Sequence, residues 1–122
     1  MILADTSIWI DYLRQEEPLL TEKLSSGQVL MHGMVLGELA MGNFKNRQLL
    51  LKRWSALPFI QSAPNEQVLD FLETHQLMGK GIGWVDLHLV TAVSLARNVQ
   101  LWTRDKRLKL IAQTLNLAAQ LP

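Results

Sequence analysis

Apolar residues in this chain come in short runs separated by polar punctuation, and their spacing alternates between a strand pattern and a helix pattern. Ile2-Leu3-Ala4 is an unbroken apolar run that stops at Asp5, as a strand buried on both faces does. Ser7 to Arg14 then reads as a short amphipathic helix, with Ile8, Trp9, Tyr12 and Leu13 near one side. Pro18 opens a second helix with Leu19, Leu20 and Leu24 as its apolar positions, and Gly27 ends it. Val29-Leu30-Met31 is the second strand, and His32-Gly33 leads into a helix over Met34 to Met41 that is apolar apart from Glu38. Asn46 to Leu57 is helical, and Pro58-Phe59-Ile60 is a third strand or an edge segment. Pro64 starts a long helix with Val68, Leu69, Leu72 and Leu77 expected inward. Gly79 to Gly83 is a loop by composition, Trp84 to Arg97 a helix, Val99 to Thr103 a strand, and Asp105 the start of a last helix. Leu117-Ala118-Ala119 is the final short strand expected. Strands alternating with helices in this order predict an α/β fold with a mostly parallel sheet flanked by helices.

Length narrows this to one domain spanning residues 1–122, with roughly two-thirds of the unfolded surface buried. There is no cysteine, so disulfides and thiolate metal sites are excluded, and a reducing compartment fits. No basic segment followed by an apolar core opens the chain, and charges interrupt every apolar run. A cytoplasmic protein with no membrane association is the expectation. The net charge of +1 gives no global attraction for nucleic acid. Charge is nonetheless segregated: Asp11, Glu16, Glu17 and Glu22 lie early, whereas Arg97, Arg104, Lys106, Arg107 and Lys109 lie late.

Four acids stand in apolar company. Asp5 ends the first strand, Glu38 interrupts Met34–Met41, Asp86 lies within Trp84-Val85-Asp86-Leu87-His88-Leu89-Val90, and Asp105 follows Leu101-Trp102-Thr103-Arg104. Taken singly, Asp5, Asp86 and Asp105 are explained as helix caps, for about 1 kcal/mol each. Glu38 is mid-helix, where a solvated position is the plain alternative. Taken together they look different, because the strand C-termini of a parallel sheet share one edge, where ligands bind. Carboxylates crowded there repel by about 4 kcal/mol per pair at 4 Å and an effective dielectric of 20. A divalent cation turns that repulsion into ligation, and all-oxygen donors suit Mg²⁺ or Mn²⁺. Such a site serves phosphodiester hydrolysis.

The segments Asp5-Thr6-Ser7-Ile8-Trp9-Ile10-Asp11, Gly37-Glu38-Leu39-Ala40, Gly83-Trp84-Val85-Asp86-Leu87-His88-Leu89 and Leu101-Trp102-Thr103-Arg104-Asp105-Lys106-Arg107-Leu108 resemble, in order, the motifs of PIN-domain ribonucleases. The nearest likeness is to VapC-type toxins of bacterial toxin–antitoxin pairs. The resemblance implies a PIN-like α/β fold and an endoribonuclease dependent on Mg²⁺, with Mn²⁺ able to substitute. It implies metal-site acids at Asp5, Glu38, Asp86 and Asp105, with Asp5 and Asp86 the most direct ligands and Asp105 acting through water or a second ion. It also implies a catalytic hydroxyl at Thr103, with Ser7 a second. The partners implied are RNA, a cognate antitoxin and a second copy of the chain in a homodimer. An RNA-processing PIN nuclease without an antitoxin is the alternative, and an adjacent short reading frame would discriminate between them.

Other features carry less. His32, His75 and His88 lack ligand spacing and read as structural, with His75 exposed. Gly79-Lys80-Gly81-Ile82-Gly83 is no phosphate loop of the P-loop kind; it reads as a connector, or with Lys80 and Arg104 as a contact to RNA phosphates. Lys106, Arg107 and Lys109 read as a solvated helix face with a supporting part in phosphate steering. The four tryptophans read as core or interface. Ile8, Trp9, Tyr12 and Leu13 are expected to form a surface for the homodimer or the antitoxin. A phospho-receiver domain and an aspartyl-phosphate phosphatase are excluded by the absence of an acidic pair or a D-x-D after the first strand.

Overall fold

Strand β1 (Ile2–Ala4) occupies the middle of the sheet, which the computed structural model describes over all residues Met1–Pro122. On one side it pairs in parallel with β2 (Val29–Leu30), and on the other with β3 (Gln100–Trp102). A bridge from Met31 to Phe59 and another from Leu101 to Ala118, both parallel, extend the sheet at its two edges. The segments at 58–60 and 117–119, expected as strands, therefore contribute single bridged positions. Proline supplies no N–H at 58, but its carbonyl accepts from Met31 N–H at 2.9 Å.

The helices are α1 (Thr6–Arg14), α2 (Pro18–Ser25), α3 (Gly33–Ala40), α4 (Arg47–Ser55), α5 (Asn65–Thr74), α6 (Trp84–Leu95) and α7 (Lys106–Thr114). The short strands are all interior because Leu3, Ala4, Leu101 and Trp102 have almost no exposed surface. Helix α6 is the most enclosed, with every residue from Leu87 to Val93 buried, which is why its apolar positions surround the whole helix.

Two expectations are corrected by packing, and one tryptophan is set apart from the others. Ile8 and Trp9 are wholly interior, with Trp9 against Trp54 at 5.2 Å and edge-on to Tyr12 at 6.1 Å. The apolar face of α1 is thus covered by the chain's own α3 and α4, and Ile8 and Trp9 offer no docking surface. Leu69 is exposed, because the inner stripe of α5 runs through Val68, Phe71 and Leu72 instead. Trp84 is 42% exposed at the first position of α6, unlike Trp9, Trp54 and Trp102.

Arg104 ties the sheet edge to the first third of the chain. Its guanidinium reaches Asp11 and Glu17 at 2.7 Å each, donates to the Pro122 carbonyl at 2.9 Å and lies over the Trp102 ring. Burial works to lower its pKa, but the hydrogen bonds and charges of Glu17 and Asp11 outweigh it and hold the group above its ordinary value. Arg104→Gln should lower unfolding stability by about 1–3 kcal/mol in urea titration, since Glu17 is left buried without its partner. An unchanged midpoint would show that the cluster adds nothing.

His32 follows the second strand and caps α3, its Nδ1 accepting from Met34 N–H at 3.0 Å while Nε2 meets Ser62 Oγ at 3.3 Å. Burial, and then the nearby His88 ring, hold its pKa below the ordinary 6.5. The unfolded chain therefore takes up the proton first as pH falls, so this contribution is complete above about pH 6.5 and is lost below it. Thermal melts between about pH 7 and pH 5.5 should fall more steeply for the wild type than for His32→Asn, which keeps a capping acceptor and does not titrate. His88, also lowered by burial, retains part of the slope. Parallel curves for the two proteins would contradict the assignment.

Candidate metal centre at the sheet edge

Continuing the β1–β3 register by one residue sets Asp5 level with Thr103, and Asp5 N–H donates to the Trp102 carbonyl at 3.0 Å. Asp5 is 4% exposed. Its Oδ1 accepts from Ser7 Oγ at 2.5 Å and from Ile8 N–H at 3.3 Å, and its Oδ2 accepts from Thr103 Oγ1. The side chain therefore caps α1 and is held from the far end of the chain at the same time. Burial pushes its carboxyl above the ordinary range, and the hydrogen bonds from Ser7, Thr103 and Ile8 pull the other way.

Thr103 does two things. Its hydroxyl donates to Asp5 and accepts from Asp105 N–H at 3.0 Å, so the two aspartates are linked through one oxygen. Asp105 in turn caps α7, with Oδ1 accepting from Leu108 N–H at 2.9 Å. Glu38, on the outer side of α3, is tied to the start of α1 by Thr6 Oγ1 at 2.6 Å. Thr6 and Ser7 each hold a carboxylate, a use that the motif by itself does not reveal.

Asp86 stands in the first turn of α6, three residues past its cap Gly83. Burial pushes its carboxyl up; Asp5, Asp105 and Glu38 add to this through their negative charge, while the Gly83 N–H opposes it. Asp86 thus senses all three other acids, so the four carboxylates share one electrostatic neighbourhood at the C-terminal edge of the sheet. They do so without three of them closing into a ready-made ligand cage. The set runs from buried Asp5 through half-buried Asp86 to exposed Glu38 and Asp105. Oxygen donors of this kind suit a hard divalent cation held through one or two carboxylates with waters completing its shell.

The remaining predicted residues are elsewhere. His75 is exposed on the surface. His32 has both nitrogens engaged, and His88 is buried with neither nitrogen partnered. Arg104 is consumed by Asp11, Glu17 and Pro122, which corrects its expected role as a phosphate contact.

No family-wide sequence profile matches the chain. Among curated proteins, ribonuclease VapC32 from each of two strains of Mycobacterium tuberculosis is 39% identical to it over 109 residues, covering 89% of this chain and 88% of the relative. The match agrees with the parallel α/β sheet and with the four ordered motifs. At that identity over that much of both sequences, the chain belongs to the VapC family of PIN-domain ribonucleases.

Proposed function

We propose that the protein is a metal-dependent endoribonuclease toxin that cleaves RNA phosphodiester bonds and is restrained by a cognate antitoxin. The observation that carries this reading is the Thr103 hydroxyl that joins Asp5 to Asp105 at the C-terminal edge of the sheet, with Asp86 close enough that burial first, and then the charges of Asp5, Asp105 and Glu38, raise its carboxyl. Acids gathered at one edge are suited to a divalent cation. In this proposal Asp5, Asp86, Glu38 and Asp105 hold Mg²⁺, or Mn²⁺ in its place, with Asp5 and Asp86 the most direct ligands. When bound, such an ion supplies the Lewis acidity that activates water and neutralises charge on a phosphodiester.

The protein's own groups supply orientation. Ser7 and Thr103 fix the rotation of the Asp5 carboxylate, and Thr6 fixes Glu38. Thr103 is the catalytic hydroxyl of the proposal, since it touches one aspartate and receives the backbone N–H of another. Water adds to phosphorus and the bridging oxygen leaves, with no covalent link to the protein. The proposed setting is the cytoplasm, and a homodimer is the proposed assembly. No helix is long and apolar enough to cross a membrane.

Purified protein should cleave single-stranded RNA in Mg²⁺ or Mn²⁺ and stop when chelator is added. Asp5→Asn and Asp86→Asn should each lower kcat by at least about 100-fold, the cost of removing one preorganised electrostatic group. Undiminished cleavage by either variant would refute the site assignment.

Removing one charge should also relieve the empty cluster. In chelator, Asp86→Asn should melt a few degrees above the wild type; with Mn²⁺ added, the wild type should gain and the variant gain less. A variant that melts lower in chelator and responds equally to Mn²⁺ would show that Asp86 is a structural group.

A further inference from the structure

An RNA strand reaching four carboxylates brings more negative charge, so a cation that is not already spoken for must meet it. Arg104 is paired and cannot serve. Arg107, one residue into α7, is exposed, forms no ion pair and donates no hydrogen bond within the protein. It is nonetheless seated. Gly81 has a left-handed backbone, φ +82°, and a Cβ on it would fall 2.7 Å from Arg107 Cδ and 2.9 Å from Cζ, with Nη1 closer still. The next closest approach to any glycine in the chain is 3.4 Å, at Gly42. Only a residue without a side chain leaves room for the guanidinium there.

The course of the loop explains the contact. Lys80 lines a pocket with Leu110 and Thr114 of α7, Gly81 lies under Arg107 and, two residues later, Gly83 caps α6, which carries Asp86 in its first turn. The 79–83 loop therefore climbs α7 towards its N-terminus, and Asp105 caps that same end. Arg107 thus lies between Asp105, two residues before it, and the loop that leads into Asp86. A guanidinium can grip two phosphate oxygens in parallel, which an ammonium cannot.

We propose that Arg107, lying on the backbone of Gly81, binds a phosphate of the RNA strand next to the carboxylate centre. The proposal rests on the ribonuclease reading. The test compares wild type, Arg107→Gln, Arg107→Lys and Lys52→Gln, the last an exposed α4 residue with the same charge change as the first. Cleavage kinetics in Mg²⁺ are measured together with binding of a fluorescent single-stranded RNA in chelator, by anisotropy, over a range of salt. Arg107→Gln should raise KM about tenfold with kcat nearly unchanged. It should also make the slope of log affinity against log salt shallower by about 0.7, the loss of one phosphate contact on a single strand. Arg107→Lys should restore the slope and only part of KM, and Lys52→Gln should match the wild type. If Arg107→Gln behaves like Lys52→Gln while the wild type cleaves RNA, the Arg107 assignment is overturned and the ribonuclease reading stands. A wild type that neither binds nor cleaves RNA overturns both.

Discussion

The parallel pairing of β1 with β3 brings residue 5 beside residue 103, and the rest of the molecule is arranged around that meeting. Burying a carboxylate is costly unless it is hydrogen-bonded. Asp5 meets the requirement with two hydroxyls and a backbone N–H, one hydroxyl coming from the opposite end of the chain. The same pairing sets where α1 and α7 begin, because each helix starts within one short turn of its strand and is capped by its own aspartate.

Two opposite electrostatic arrangements sit close together on this edge. One is an ion-paired cluster, where Arg104 bridges Asp11 and Glu17. The other has no ion pair, with Asp5, Glu38 and Asp105 held by hydroxyls and backbone N–H groups and Asp86 near them. The contrast shows that the chain can neutralise acids where it needs stability. At the second cluster the hydroxyls orient the carboxylates without cancelling their charge, as a ligand set requires.

Much of this was legible in the residues. Strand and helix order followed from apolar runs and their breaks, and the C-terminal edge of a parallel sheet explained why Asp5 and Asp105, distant in sequence, should be neighbours. Exposure was harder to read. Trp9 and Trp84 have similar apolar neighbours in sequence, yet one is interior and the other lies at a helix start facing solvent. Leu69, expected inward, is exposed, because a rotation of about 100° per residue decides which face of α5 meets the core. Pairings between long polar side chains were illegible. Nothing local to Arg104 announces Glu17, and nothing in a glycine-rich loop announces that an arginine of the last helix will lie on it.

The distance along the chain between the two ends of this centre also bears on when the protein becomes active. Asp5 is made early, but Thr103 follows 98 residues later, and it and Asp105 lie in the turn between β3 and α7. Synthesis runs at about 5–20 residues per second, so a nascent chain exists for seconds with its first aspartate in place and its partner strand not yet translated. Throughout that interval β1 has only β2 to pair with, and the central strand of the finished sheet is an edge. Topology thus sets the order of assembly: the acidic edge cannot form until the chain has been made past Asp105.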